Sequence, residues 1–399
     1  MTCASDETHI PADLGPIRES FLVFGAPTIL APEMEEVAAT LQGGWLGTGP
    51  RVRHMEQAFR EYKGAPFAAG LNSGTAALHL SLLVTDLKPG DEVITTAMTF
   101  CATVNAILHA GATPVLVDIE PHSLNIDPAQ IEARLTERTR AILPVHFAGY
   151  PCRMDALLKL AHRHGLHVIE DCAHAIETEF QGQRAGTMGD FGCFSFYATK
   201  NVTTGEGGMV LSRTEEHDQR LRLLSLHGLS RDAWNRFGKG HYRHYQVLEA
   251  GFKYNMMDLQ AAIGLHQLAR VEENWLRRKA IWQCYQEAFA DLPVTLPVEA
   301  PNDCRHAYHL YTIRLDQERC GWSRDEILER MNRQNIGVGV HYLSIPEHPF
   351  YRERFGWSPD DWPVARDTGR RTLSLPLTPG MHDTDVEQVV EALRRAMHK

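Results

Sequence analysis

Lys200 follows the apolar run FSFY (194–197) and precedes the small-residue turn TTGEGG (203–208). An amine just past a buried strand is desolvated, which lowers its pKa and makes it a nucleophile. Asp171 ends a second apolar run, VIED (168–171). A desolvated lysine and a carboxylate at a strand end suit a cofactor with an aldehyde and a basic ring nitrogen, pyridoxal 5'-phosphate (PLP). The lysine would form the Schiff base and later move the proton. The carboxylate would keep the ring nitrogen protonated, so that the ring acts as an electron sink. Each residue also has a plainer reading. Lysines are usually solvated, and an Asp at a strand end often caps the following helix. His174 could steady either Asp171 or the cofactor's ring oxygen.

A phosphate cradle is the next requirement. Asn72-Ser73-Gly74-Thr75-Ala76 stands immediately before a helical pattern, and amide groups at a helix N-terminus with nearby hydroxyls form an anion site. The same residues also read as an ordinary N-cap. Ser195 alternates with Phe194 and Phe196, so it points away from them and toward the same phosphate. Phe100, after the turn TTAMT, is placed to stack on a planar ring or to join the core. Arg231, Arg236, Lys239 and Arg243 stand against one acid, Asp232, in a His- and aromatic-rich stretch. That stretch is either a solvated loop or a clamp for a diphosphate or an acidic amino donor.

The elements that must position these residues alternate. Strand patterns at 92–96, 114–119, 141–147, 167–171, 193–197 and 208–212 are interleaved with helical patterns at 75–84, 103–110, 128–134 and 154–164. This predicts an α/β fold with a mostly parallel sheet covered on both faces. Ligands gather at the carboxyl ends of such strands, where Asp171 lies. Two amphipathic helices precede the sheet, at 32–41 and 50–62. Residues 226–254 predict a long surface excursion, and 257–290 one long helix, kinked at most near Gly264. A strand at 306–315, a helix at 323–335, the strand IGVGVHY (336–342) and a final helix from Asp383 form a second unit. The predicted division is a flexible arm at 1–20, a large PLP-binding domain at 21–256 and a smaller C-terminal domain at 257–399.

Composition narrows the function. A chain of 399 residues, 43% hydrophobic and 23% charged, is ordinary globular material and exceeds what one core usually supports. Its net charge of -10 argues against a nucleic-acid partner. Eight scattered cysteines without a CxxC pair disfavour zinc or a disulfide framework and fit a reducing cytoplasm. No run approaches the roughly 18 apolar residues of a membrane helix. A dinucleotide site is disfavoured because no GxGxxG follows the first strand and GEGG (205–208) precedes a strand. A nucleoside triphosphatase is disfavoured by the lack of GxxxxGK[ST].

With these parts in order, the chain resembles the DegT/DnrJ/EryC1/StrS family of PLP-dependent sugar aminotransferases, a branch of the aspartate aminotransferase (type I) fold. The resemblance runs from about Phe24 to the C-terminus. It rests on GGWLGTGPRV, NSGTAALHLSLL, PVHFAGYPCRMDAL, VIEDCAHAIE, GDFGCFSFYATKNVTTGEGGMV, GFKYNMMDLQAAIG, GVHYLSIPEHPFYRERFG and LSLPLTPGM. It implies Lys200 as the internal aldimine, Asp171 on the pyridine nitrogen and Phe100 on the ring face. It also implies Gly74, Thr75, Ala76 and Ser195 on the phosphate, and His174 near the ring oxygen. Family members are dimers with shared active sites, and Asn255 resembles the residue that reaches the partner's phosphate. KYN (253–255) looks most like the aminoarabinose-forming branch, which acts on carbon 4 of UDP-ketosugars, and His341 and Tyr342 match a sugar-contacting motif. Two departures touch the substrate pocket: SIPEHP replaces the commoner PIHLQP, and Tyr197 stands where relatives often have His.

The expected activity is transfer of an amino group from L-glutamate to a nucleotide-linked keto sugar, through pyridoxamine phosphate (PMP). An aminocyclitol aminotransferase and a PLP-binding regulatory protein are the alternatives. A related sugar dehydratase is disfavoured because it carries His at the lysine position. Arg231, Arg236 and Arg243 are all open as the residue that holds the donor carboxylate.

Overall fold

Short strands buried at most positions, rather than at every second one, build the centre of the molecule. The computed structural model describes residues 14–230 and 245–398. In chain order the strands are β1 (Phe67–Leu71), β2 (Glu92–Thr96), β3 (Thr113–Val117), β4 (Thr139–Leu143), β5 (His167–Asp171), β6 (Glu179–Phe180) and β7 (Gln183–Arg184). They continue with β8 (Phe191–Ser195), β9 (Gly208–Ser212), β10 (Val294–Thr295), β11 (Cys304–Arg305), β12 (Tyr311–Leu315) and β13 (Thr372–Leu375).

Seven strands form the main sheet in the order β1-β9-β8-β5-β4-β2-β3. Pairing is parallel from β8 to β3, and β9 runs antiparallel to both β8 and β1. Side chains alternate between two cores, as a period of two requires. Ile94, Ile142, Val168, Phe194 and Met209 pack on one face, and Val93, Leu143, Ile169, Cys193 and Val210 on the other. The predicted α/β sheet, covered on both faces, is what the structure has.

The register gathers chemistry at one edge. Asp171 pairs with Cys193, Ser195 with Gly208, and Leu71 with Gly208. The ends of β1, β5 and β8 and the start of β9 therefore lie together. Helix Gly74–Val84 begins just beyond β1.

Several sequence expectations are corrected. The predicted helix 257–290 is two helices, Asp258–Ala269 and Val271–Ala288, which part at Arg270 (φ -110°), not at Gly264. Ala261 and Leu268 of the first join the core of the main sheet. Ile281, Trp282 and Tyr285 of the second join a separate core with Tyr311, Ile313, Leu373 and Val389. The two helices serve different cores, so the chain must turn between them. The predicted strand 306–315 shrinks to Tyr311–Leu315, paired with β13, which the sequence reading missed. IGVGVHY (336–342) is no strand; its backbone pairing is limited to isolated bridges at Ile336 and Gly339. Among the described residues no helix is long and apolar enough to cross a membrane.

Candidate active site

A cavity of about 460 Å³ opens at this edge, lined by Gly74, Thr75, Phe100, Asp171, His174, Ser195, Lys200, His341 and Tyr342 among others. Its size is that of a small-molecule site. Nine of the residues singled out in the sequence thus meet in one place.

Asp171 is 4% exposed. One carboxylate oxygen accepts from the Thr103 hydroxyl at 2.8 Å, the other from the Ala173 amide at 3.1 Å. Burial raises its pKa, against the opposing pull of Thr103, Ala173 and the Lys200 charge. A buried carboxylate held up this way gains most from a cation beside it, and a protonated pyridine nitrogen is such a cation. Thr103 was not foreseen. It sits in the first turn of helix Cys101–His109 and is itself tied to Thr99 at 2.8 Å.

The Lys200 backbone amide donates to the Tyr197 carbonyl at 2.9 Å, and burial brings its side-chain amine down to about 8, although the Asp171 charge pulls the other way. A lysine near that value holds a substantial free-base fraction near neutrality, as Schiff-base chemistry needs.

His174 has a fixed tautomer. Its Nδ1 accepts from the Ala148 amide at 3.2 Å, so Nε2 carries the proton and donates to the Tyr342 hydroxyl at 3.0 Å. Burial pushes the imidazole pKa well down, helped by the Lys200 charge, so the ring stays neutral. Tyr342 Oη thereby keeps its own proton free to donate into the cavity. Phe100, 57% exposed, flanks Tyr342 with ring centroids 5.9 Å apart and offers an open face.

The candidate phosphate cradle is built by close approach. Ser73 caps the helix through Ala76 N at 3.1 Å. A Cβ on Gly74 would stand 2.8 Å from Ser195 Cβ, and one on Gly208 2.4 Å from the Ser73 carbonyl carbon. These glycines let the helix N-terminus press against the strand ends, leaving the Gly74 and Thr75 amides without intrahelical partners. Ala76 differs from the expectation. It is buried, its amide serves the Ser73 cap, and it is not among the cavity-lining residues.

Of the expected sugar-contacting pair, Tyr342 faces the cavity core. His341 is held by Ser374 at 2.9 Å and stacks on Phe24 with centroids 5.3 Å apart. Burial lowers its imidazole to about 4. Asn255 does not line this cavity. It donates to Thr48 at 2.6 Å and accepts from Lys253 at 2.7 Å, facing a separate surface cleft. Arg231, Arg236, Lys239 and Arg243 lie outside the described residues. The group therefore offers a cradle, a flat aromatic face, a buried acid and a desolvated amine, the parts that PLP requires.

Comparisons with known proteins agree. Residues 27–394 match the DegT/DnrJ/EryC1/StrS aminotransferase family. Spore coat polysaccharide biosynthesis protein SpsC of Bacillus subtilis (strain 168) is 47% identical over 378 residues, 94% of this chain and 97% of its own. Streptococcus pneumoniae Spr1654 in its PMP form is 32% identical with a TM-score of 0.88, over 94% of this chain and 99% of that one; its PLP form is also solved. DesI, solved in the presence of its TDP-sugar product, is 30% identical with a TM-score of 0.85, over 96% and 94% of the two chains. The chain belongs to the DegT/DnrJ/EryC1/StrS family and is a PLP-dependent sugar aminotransferase.

Proposed function

We propose that the enzyme moves an amino group from L-glutamate to a nucleotide-linked keto sugar, a UDP- or dTDP-linked 4-keto sugar in the first instance. The observation that carries this reading is the meeting of Lys200, Asp171 and the Gly74 helix N-terminus in one cavity. DesI, with its TDP-sugar product, supports a nucleotide-linked acceptor. The KYN run (253–255) supports a 4-keto sugar, and the His341-Tyr342 pair supports a sugar acceptor.

When bound, PLP supplies an electron sink for the carbanion at the donor carbon. The chain's residues do the rest. The Gly74 and Thr75 amides, with the Thr75 and Ser195 hydroxyls, bind the phosphate. Asp171, oriented by Thr103, holds the ring nitrogen protonated. Phe100 lies on the ring face. Tyr342, oriented by neutral His174, donates to the ring oxygen or to the sugar. Lys200 Nζ would hold the cofactor and, as a free amine, could take up or give a proton at the donor's α-carbon.

In this reading the enzyme works as a homodimer, and Asn255 reaches the phosphate bound in the partner subunit. Exposed Met34, Leu41, Trp45, Leu46 and Met257 supply apolar surface for that contact. The donor carboxylate is left to an arginine of 231–243.

The test is to convert the holoenzyme with L-glutamate to its PMP form, then add UDP-, dTDP- and GDP-linked 4-keto and 3-keto sugars one at a time. Return of the visible lysine-bound PLP band with a UDP- or dTDP-4-keto sugar is expected. A band restored by a keto-inositol and by none of the sugars would overturn the proposal.

A further inference from the structure

Behind the cavity wall runs a buried polar chain that the reaction, as described so far, does not use. Asn201 follows Lys200 directly. Its amide nitrogen donates to Glu177 at 2.8 Å and to the Ala307 carbonyl at 3.1 Å. Both partners are acceptors, which fixes the orientation of the amide. Its oxygen faces His309 Nδ1 at 2.8 Å, so that nitrogen carries the proton. The His309 ring lies against His174, centroids 4.5 Å apart and 34° between planes. His174 in turn holds Tyr342 at 3.0 Å.

At its other end the chain is anchored on an ion pair between Glu177 and Arg278, whose side chains are 0% and 2% exposed. Arg278 belongs to helix Val271–Ala288, outside the main sheet. His309 is fixed by its own backbone as well, its amide donating to the Ala148 carbonyl at 3.1 Å. Ala148 is also the residue whose amide sets the His174 tautomer. Two separate tethers therefore converge on the same pair of rings.

A surface loop would not need this. A lysine that must reach one aldehyde carbon in one orientation does, because a misplacement of about 1 Å can cost about a hundredfold in rate. Resting on the reading of Lys200 as the cofactor-binding lysine, we propose that Asn201 and His309 are positioning residues. Asn201 clamps the turn that carries Lys200, and His309 backs the His174 ring that holds Tyr342 in the cavity.

The experiment uses the cofactor-free full-length enzyme mixed with PLP in a stopped-flow spectrometer. Growth of the visible band, followed against PLP concentration, separates binding (the half-saturating concentration) from the attachment step (the plateau rate). In Asn201→Ala and His309→Ala the plateau rate is expected to fall about 10- to 100-fold. The half-saturating PLP concentration should stay within about threefold. His309→Gln, which keeps an N–H toward Asn201, should recover the rate to within about threefold. The visible circular dichroism of the loaded Ala variants should also change in amplitude, reporting an altered cofactor orientation. Plateau rates and dichroism like those of the wild type would overturn the proposal, as would a loss wholly in half-saturation. If Ala variants fail to fold, His309→Gln against His309→Phe decides: equal rates overturn it, and a slower Phe variant supports it. A failure of the underlying reading would show differently, as a visible band that survives Lys200→Ala.

Discussion

With Lys200 as the proposed cofactor-binding lysine, its amine sets the pH at which the site takes up PLP. Burial brings it to about 8, and Asp171 is the one carboxylate that opposes the shift. His174, His309 and His341, whose titration its charge affects, are all held neutral at working pH. PLP attachment to the cofactor-free enzyme should therefore speed up through about pH 8 and level off above it. An unperturbed lysine near 10.4 would keep rising, and a profile still climbing at pH 10 would contradict the assignment. The same shift has a stability consequence. Between about 8 and 10.4 the unfolded chain holds the proton that the folded one has lost, so Lys200's contribution makes the cofactor-free protein more stable as pH rises through that window. Asp171 and Lys200 were legible in the sequence because each ends or follows a local apolar run, VIE and FSFY. Thr103, Asn201 and His309 were not, because their roles depend on partners 68, 24 and 108 residues away. The HAYH run (306–309) was the available sign, a pair of histidines leading into a strand.

At the scale of elements, the site depends on a helix N-terminus pressed against strand ends. Gly74 is the contact point, since a Cβ there would stand 2.8 Å from Ser195 Cβ and 3.1 Å from its Cα. Gly74→Ala should force the helix and β8 apart, cost about 1–3 kcal/mol of stability and weaken PLP binding at least about tenfold, or 1.4 kcal/mol. Spectral titration of the cofactor-free variant measures this; affinity within twofold of the wild type would contradict it. The strands of the main sheet were readable from the sequence because burial on both faces leaves short, largely apolar runs. The second sheet was less so. β13 is four residues long and pairs only with β12 in register, while the Val-rich run at 338–342 owes its apolar character to core contact rather than to a ladder. The break at Arg270 follows from packing against two cores, which periodicity within one helix does not reveal.

For the whole molecule, the Glu177–Arg278 pair ties the helix of the second core to the sheet that carries the cavity. With both side chains out of water, removing one partner leaves an uncompensated buried charge. Glu177→Gln should cost about 3–5 kcal/mol, seen as a lower denaturant midpoint, whereas surface pairs such as Arg371–Asp367 should matter by less than about 1 kcal/mol. A midpoint unchanged in Glu177→Gln would show that the two cores are joined by apolar contact alone. The central claim is simpler than any of these: one amine, Lys200, both holds the cofactor and moves the proton. Lys200→Ala, purified with PLP and L-glutamate present, measures it directly. A folded protein with no visible lysine-bound band and turnover below about 1 part in 10² of the wild type is expected. A Lys200→Ala variant that keeps the band and the turnover would contradict it.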